Sequence, residues 1–261
     1  MQMETITQHQ MINALRSIAQ KDDNVSAVLM YGSFTKDEGD IYSDIEFYIF
    51  LKSKESFCSE NWVSQIHPLN LYFINEHGSE VAIFENMIRG EFHFLPTNEI
   101  NVIKSWEGLV EFSESEKMNL VDKEGLLADT LNQIKIKQPN RKTEENILWL
   151  CQSLLNVLLT TSNLIKRHEF AHAHQSLAGT QKYLLWLIRI AANQTQHWES
   201  PTKNLETDID DKWYSEFRST TSSLDSEDIK TAFHNSLKLS ERLFRELKVG
   251  LPLTNLLDKI E

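Results

Sequence analysis

Two apolar runs joined by a short polar segment are the sequence feature that most restricts how this chain can fold. The first run, Val25 to Tyr31, ends at Gly32-Ser33, and the second, Ile45 to Leu51, begins directly after Asp44. Apolar runs of this length that are bounded by turn residues are typical of buried β-strands. The pattern therefore predicts two core strands with polar residues at their ends.

The polar residues at these strand ends suggest a binding site for phosphate and metal. Side chains alternate between the two faces of a strand, so Asp44 and Glu46 point the same way. Two neighbouring carboxylates repel each other unless a divalent cation lies between them, which makes the pair a candidate Mg²⁺ site. Gly32 and Ser33 would let backbone amides approach a phosphate, and Lys36 either adds charge there or is an ordinary solvated lysine. This combination favours nucleotidyl transfer.

The same residues resemble the polymerase-beta-type nucleotidyltransferase superfamily, whose motif is Gly-Ser followed after a gap by Asp-x-Asp or Asp-x-Glu. Three longer segments, Met30–Lys36, Tyr42–Phe50 and Ile88–Leu95, are similar to the lincosamide nucleotidyltransferases. The resemblance is dense over residues 25–100 and general beyond them. It implies transfer of AMP from MgATP to a hydroxyl of a lincosamide such as lincomycin or clindamycin, with release of pyrophosphate.

A third carboxylate near Asp44 and Glu46 would help to remove the proton of the acceptor hydroxyl. Glu80, Glu85 and Glu91 all lie in the right region of the sequence. A strand over residues 79–85 places Glu80 and Glu85 on opposite faces, and this geometry does not choose among the three. The resemblance implies Glu91, because the Arg-Gly-Glu-Phe segment that contains it matches the family segment that holds the general base. Glu80 is the second choice.

Several other residues are weaker candidates. His168 and His172 have the i, i+4 spacing of a zinc pair, with His174 close by, but a solvated helix face is favoured because no third ligand lies nearby in the sequence. His93 lines a substrate pocket or packs between its neighbouring phenylalanines. Arg89 contacts a phosphate or forms a surface ion pair. Four tryptophans are expected in the core, at an interface or in the wall of an acceptor pocket: Trp149, Trp186, Trp198 and Trp213.

The pattern along the chain predicts an α+β fold, in which an N-terminal mixed sheet with flanking helices is followed by a C-terminal helical bundle. The predicted catalytic domain covers residues 1–120 and the helical domain residues 121–261. In the first domain we expect helices and strands in this order: a helix at 5–20, strands at 25–31 and 44–51, a helix at 55–66, a hairpin of 69–74 with 79–84, and a strand at 92–95. The helices are expected on one side of the sheet.

Helical periodicity replaces strand-like alternation beyond residue 120. Thr143 followed by two glutamates predicts a helix start, and the apolar stripe of that helix runs from Ile147 to Leu158. Two more helices are expected around residues 177–190 and 233–247, the last ended by Gly250 and Pro252. The surplus of large apolar residues in this half predicts a homodimer interface.

The formal net charge of −12 argues against a polynucleotide partner, because proteins that bind nucleic acid usually present a basic face. An acidic protein attracts cations, so a substrate that carries an amine fits better. An acidic isoelectric point is also simply common in bacterial-type proteins. Two alternatives therefore remain: an aminoglycoside nucleotidyltransferase, and a toxin–antitoxin-type module that acts on a protein partner.

The sequence favours a cytoplasmic protein without disulfide bonds. It contains 2 cysteines, Cys58 and Cys151, with no paired spacing. The segment Met1–Gln10 is polar and has no apolar signal core. The most apolar stretch, Ile147–Leu159, is interrupted by polar residues and is too short to span a bilayer, so no membrane partner is expected.

Overall fold

The computed structural model describes residues 7–260, which form two compact units. The first unit runs to Pro139 and the second begins at Asn140. The sequence analysis placed this boundary earlier, at residue 120. The later position follows from hydrogen bonds that hold residues 134–137 to the first unit, for example from the Phe112 amide to the Lys137 carbonyl at 2.8 Å.

The first unit is a mixed sheet with short helices. Its strands are β1 (Val25–Tyr31), β2 (Ile45–Leu51), β3 (Leu69–Ile74), β4 (Glu80–Phe84), β5 (Arg89–Pro96) and β6 (Asn119–Asp122). Its helices are α1 (Thr7–Lys21), α2 (Ser59–Val63), α3 (Ser115–Met118) and α4 (Leu126–Asn132), with 3₁₀ segments at Ser33–Lys36 and Thr97–Trp106. The first two residues of the helix expected at 5–20 lie outside the described part of the chain.

The six strands lie in the order β3-β4-β5-β2-β1-β6. β2 and β5 are parallel, and the remaining neighbouring pairs are antiparallel. The predicted hairpin of β3 and β4 is present, with its turn closed by a hydrogen bond from the Asn75 amide to the Ser79 carbonyl at 2.9 Å. The parallel pairing of β2 with β5 places the starts of these two strands side by side, and that is where the acidic residues lie.

Helices cover both faces of the sheet, so the expectation of helices on one side is wrong. On one face, α1 and α2 bury the side chains of Leu15 and Trp62 against Phe47 and its neighbours. On the other face, the 3₁₀ segment Thr97–Trp106 and α4 pack against the far end of β2 around Phe50. This second layer was missed because a 3₁₀ segment lacks the α-helical period on which the sequence analysis relied. It leaves the near end of β2 and β5 polar.

The second unit is helical, as predicted. It contains α5 (Glu144–Lys166), α6 (Phe170–Ala191), α7 (Leu205–Asp208), α8 (Asp211–Arg218), α9 (Ser226–Glu246) and α10 (Leu251–Leu257). Thr143 caps α5 by accepting a hydrogen bond from the Asn146 amide at 3.2 Å, which confirms the predicted helix start. The core lies where α5 and α9 pack against α6.

Some element boundaries differ from the sequence expectations. The helix expected at 55–66 is shortened to Ser59–Val63, and the strand expected at 92–95 lengthens to Arg89–Pro96. Strand β6 lies at the point where strand-like alternation was expected to end, and it was not predicted. Its 4 residues are too few to show an alternating pattern. Gly250 and Pro252 were expected to end the last helix, but Gly250 is the N-cap of a further helix, α10, and Pro252 lies in its first turn.

Helix α5 extends well beyond the apolar stretch Ile147–Leu159. It is long and apolar enough to cross a membrane by length and composition, the one such helix among the described residues. Its stripe of Leu150, Leu154 and Leu158 is buried in the core of the second unit. A helix that contributes to the core of a folded unit passes the same test of length and composition, so the composition is weak evidence for a membrane span.

Candidate active site

One row of residues crosses five strands on the face of the sheet whose far end packs against the 3₁₀ segment. The strand pairings place Tyr31, Glu46, Glu91, Val81 and Phe73 next to one another in that order. Residues paired across strands project from the same face of a sheet. The predicted metal ligand Glu46 and the predicted base Glu91 are therefore direct neighbours.

Arg89 connects two of the predicted acidic residues. Its Nη1 donates a hydrogen bond to Asp44 Oδ2 at 2.6 Å, and its Nη2 donates to Glu91 Oε2 at 2.7 Å. Asp44 directly precedes β2, and Arg89 opens the adjacent parallel strand, so the register brings the two residues together. Asp44 and Glu91 thus share one guanidinium as their counter-charge.

Gly32 lies against the carboxylate of Glu46. It has a φ of +81°, and a Cβ at this position would lie 1.6 Å from Glu46 Oε2. The glycine is needed both for its backbone conformation and for the space that the carboxylate occupies. The sequence analysis attributed this glycine to phosphate approach, whereas the structure shows a contact with a predicted metal ligand.

Ser33 begins the 3₁₀ segment that follows Gly32, and Lys36 ends it. The segment is closed by Thr35, whose Oγ1 donates a hydrogen bond to the Gly32 carbonyl at 2.8 Å. The Nζ of Lys36 forms an ion pair with Glu111 Oε2 at 3.3 Å. Ser33 and Lys36 thus follow directly on the turn that contacts Glu46, and their contact with a nucleotide stays a prediction.

The alternative bases lie elsewhere. Glu80 is paired with Phe92, so its side chain projects from the opposite face to Glu91, where it accepts a hydrogen bond from the Tyr72 hydroxyl. Glu85 is exposed in the turn after β4. Glu91 is the one of these three candidates that the sheet places beside Glu46.

The environment of Glu91 keeps it ionised. Burial raises its pKa, but hydrogen bonds from Arg89 and Ser79 and the charges of Arg89 and His93 outweigh this effect and hold the pKa below its ordinary value. The Nε2 of His93 lies 3.5 Å from Glu91 Oε1. Burial lowers the pKa of His93, although the nearby Glu91 carboxylate acts in the opposite direction.

Two tyrosines complete the surroundings of His93. The Tyr31 hydroxyl lies 3.1 Å from His93 Nε2, and the Tyr48 ring stacks on the imidazole with centroids 4.2 Å apart. Burial, and then the charges of Glu46 and Glu91, raise the pKa of Tyr31, so its hydroxyl stays protonated. The sequence analysis missed Tyr31 and Tyr48, since both lie within strands that read simply as apolar. The alternation of side chains along β2 places Tyr48 on the same face as Glu46, and this pattern could have identified Tyr48 as a residue near the site.

The acidic residues suit a magnesium ion bound together with a nucleotide. Within residues 7–260 no group of three or more His, Cys, Asp or Glu side chains is arranged to hold a metal by itself. Mg²⁺ typically uses one or two carboxylates together with substrate phosphates. Asp44 and Glu46 provide such a pair, and the guanidinium of Arg89 at Asp44 shows that this position accommodates positive charge.

The histidines and tryptophans of the second unit that the sequence analysis singled out have contacts within that unit. His172 Nδ1 lies 3.5 Å from Glu169 Oε2, and His174 Nε2 lies 3.2 Å from the Ser222 carbonyl, so both imidazoles have ordinary partners. Trp213 is buried in the helical core. Trp186 and Trp198 stack with centroids 5.6 Å apart, and Trp149 is exposed on α5.

Comparison with known proteins identifies the helical half of the chain. Residues 143–259 match the family model described as the lincosamide nucleotidyltransferase-like C-terminal domain. The second unit is therefore similar to the C-terminal domain of lincosamide nucleotidyltransferase-like proteins. This match confirms the predicted family resemblance, which rested on the other half of the chain. It supports a nucleotidyltransferase of the antibiotic-modifying type.

Two solved structures show a low similarity to the chain. One is an aminoglycoside 6-adenyltransferase from Bacillus subtilis, with 14% identity, 99% of each chain covered and a TM-score of 0.43. The other is a nucleotidyltransferase-like protein from Exiguobacterium sibiricum, with 12% identity, 90% of this chain and 76% of that chain covered, and a TM-score of 0.41. No curated protein matches the chain in sequence.

Proposed function

We propose that the protein transfers AMP from ATP to a hydroxyl of a lincosamide, such as lincomycin or clindamycin, in a Mg²⁺-dependent reaction that releases pyrophosphate. The observation that carries the proposal is the placement of Glu91 beside Glu46 on one face of the sheet, with Asp44 linked to Glu91 through Arg89. Residues 143–259 of the same chain match the lincosamide nucleotidyltransferase-like C-terminal domain. Nucleotidyltransferases generally use a nucleoside triphosphate and a divalent metal. Such a protein would act in the cytoplasm, where ATP is available.

In this proposal Asp44 and Glu46 hold the metal, and Gly32, Ser33 and Lys36 hold the triphosphate. When bound, Mg²⁺ supplies positive charge that stabilises the phosphoryl oxygens and the leaving pyrophosphate. Glu91 is ionised and accepts the proton of the acceptor hydroxyl. A bond then forms between that oxygen and the α-phosphorus, the bond from the α-phosphorus to the bridging oxygen breaks, and the proton passes from Glu91 to solvent.

The reaction is tested by mass spectrometry of lincomycin and clindamycin after incubation with the protein, ATP and Mg²⁺. We expect a mass gain of one AMP with the wild-type protein and none with Asp44→Asn. The same variant should unfold at nearly the wild-type temperature. Near wild-type turnover by Asp44→Asn would contradict the proposed metal site.

The role of Glu91 is tested by a matched pair of substitutions. Glu91→Gln should lower kcat by about 10²–10⁴-fold, because the amide cannot accept the proton. Glu80→Gln changes the same chemical group on the opposite face of the adjacent strand and should leave kcat within a few-fold of wild type. A loss confined to Glu80→Gln would assign the base to Glu80.

An aminoglycoside is the second candidate acceptor. The net charge of −12 favours a polycationic substrate through long-range attraction. A kanamycin-like acceptor belongs in the same mass-spectrometry experiment. An AMP adduct on that compound, with none on the lincosamides, would preserve the reaction type and replace the substrate.

A further inference from the structure

A later segment of the chain holds the turn that follows Gly32. The segment covers residues 111–117, and we call it the brace. Its side chains contact three consecutive residues of the turn, in the pairs Thr35–Ser113, Lys36–Glu111 and Asp37–Lys117. The turn also contains Ser33 and Lys36, to which the proposed function assigns the triphosphate. The brace therefore contacts the part of the site that would bind the nucleotide.

Two hydroxyl groups join the brace to the backbone of the turn. Ser113 Oγ donates a hydrogen bond to Thr35 Oγ1 at 2.9 Å, and Thr35 Oγ1 in turn donates to the Gly32 carbonyl at 2.8 Å. Thr35 is buried, so these hydrogen bonds are shielded from competition by water. They hold the backbone of the turn beside the brace and so keep Lys36 close to Glu111.

The carboxylate of Glu111 is held from its other side. Gln138 Nε2 donates a hydrogen bond to Glu111 Oε1 at 3.4 Å, and the next residue, Phe112, is buried with its amide bonded to the Lys137 carbonyl. The side chains of Lys36 and Glu111 are each 26% exposed, so their ion pair is partly shielded from water. Opposite charges attract more strongly there than at a fully exposed surface. An anion that binds Lys36 must compete with this carboxylate.

We propose that Glu111 sets the protein's affinity for the nucleoside triphosphate by competing with the phosphates for Lys36. This inference rests on the proposed function, in which Lys36 helps to hold the triphosphate. A lysine ammonium group is a point charge on a flexible stem, so it can turn from a carboxylate to a phosphate oxygen without a change in the backbone. Its ion pair with Glu111 reduces the net free energy that this exchange gains.

The test measures the binding of ATP and AMP by isothermal titration calorimetry with Mg²⁺ and without an acceptor. Glu111→Gln removes the charge and keeps an oxygen that can accept the hydrogen bond from Gln138. We expect this variant to lower the Kd for ATP about 3- to 10-fold, because Lys36 then leaves a weaker partner. The Kd for AMP, which lacks the two outer phosphates, should stay unchanged.

Glu114→Gln is the matched control for the loss of one negative charge. Glu114 lies in the same brace, but its side chain is 71% exposed and pairs with Lys117, at 3.8 Å. This variant should bind ATP with the wild-type Kd. Equal falls of that Kd in Glu111→Gln and Glu114→Gln would overturn the inference, since the net charge of the segment would then explain both.

A double-mutant cycle tests whether Glu111 acts through Lys36. Lys36→Met alone should raise the Kd for ATP, because it removes a phosphate contact. Glu111→Gln added to Lys36→Met should have no further effect, since the group for which carboxylate and phosphate compete is gone. The inference is wrong if Glu111→Gln lowers the Kd equally in both backgrounds, if it affects AMP as much as ATP, or if it leaves the Kd for ATP unchanged.

Failure of the proposed function has a different signature. If the wild-type protein binds ATP but transfers AMP to none of the acceptors, the proposed reaction is wrong, and the Kd values still decide the role of Glu111. If the wild-type protein binds no nucleoside triphosphate at millimolar concentration, both proposals are rejected.

Discussion

Gly32 shows how a single residue can fix the position of a predicted metal ligand. Replacement by Ala adds a Cβ where Glu46 Oε2 now lies, and it also strains a backbone with a φ of +81°. Gly78 is the matched control, because its φ is +79° and the space around an added Cβ is open. We expect both substitutions to cost about 1–2 kcal/mol of stability and Gly32→Ala alone to abolish AMP transfer.

Thermal unfolding and turnover measured on the two variants separate the two effects of the substitution. Comparable losses of Tm with turnover lost only in Gly32→Ala would show that the contact with Glu46 is what matters. Full turnover by Gly32→Ala would show that Glu46 does not need its present position.

Arg89 is the second residue whose substitution is informative, because its guanidinium forms ion pairs with both Asp44 and Glu91. Arg89→Met should leave these carboxylates to repel each other, so we expect a lower Tm without metal and a larger gain in Tm on addition of Mg²⁺ than in the wild-type protein. We expect Mn²⁺ to bind about tenfold more tightly in the variant, since it no longer displaces a cation.

Calorimetric titration with Mn²⁺ and thermal scans with and without Mg²⁺ check this expectation. Lys52→Met is the control, because Lys52 forms an exposed pair with Glu124, at 3.7 Å. If Mg²⁺ raises the Tm of Arg89→Met and of the wild-type protein by the same amount, Arg89 does not compete with the metal.

At the scale of elements, the sequence predicted the strands that carry the site better than the layers that enclose it. β1, β2 and the hairpin were predictable because apolar runs and turn residues mark them. The pairing of β2 with β5 could not be predicted, because it joins residues far apart in the sequence and no local sequence pattern indicates it. The choice between Glu80 and Glu91 depends on that pairing, and for this reason the residues alone left it open.

A buried ion pair joins α6 to α7 and holds the loop between them. Arg189 is fully buried and donates hydrogen bonds to the carbonyls of Pro201 and Lys203 and to Asp208 Oδ2, the last at 2.9 Å. Asp208 also lies 2.6 Å from His197 Nδ1. The sequence analysis had no signal for this cluster, because an arginine near the end of a helix usually lies on its surface.

Asp208→Asn should destabilise the helical unit by about 3 kcal/mol, because it removes the counter-charge of a buried guanidinium. Burial raises the pKa of Asp208, but the hydrogen bonds and charges of His197 and Arg189 outweigh it and lower the pKa in the folded state. A carboxyl group whose pKa is lower in the folded state stabilises the protein at pH values above the pKa of the unfolded state. This stabilisation is lost as the pH falls through the pKa of the folded state. Thermal scans from pH 7 to pH 2 should therefore show a steeper acid loss of Tm in the wild-type protein than in Asp208→Asn. If the Tm of the two proteins falls in parallel with pH, the ion pair of Asp208 does not contribute to stability.

At the scale of the whole molecule, one surface combines exposed apolar side chains with an absence of charge. Between Glu145 and Lys166 the sequence of α5 contains no charged residue, although charged residues make up 25% of the chain. Leu148, Trp149 and Leu159 on this helix are each about half exposed. An uncharged apolar helix face is unusual in a protein with a net charge of −12, and it is typical of subunit interfaces.

We therefore expect a homodimer that forms through the outer face of α5. A C2 interface brings the same face of both copies together, so one substitution removes two contacts at once. Leu159→Lys should shift the sedimentation coefficient at micromolar concentration from that of a dimer to that of a monomer. Leu251→Lys, which changes a more exposed leucine at the start of α10, is the control and should leave the dimer intact. A wild-type protein that sediments as a monomer would contradict the predicted interface on α5. The surplus of apolar residues noted in the sequence would then be explained by the helical core alone.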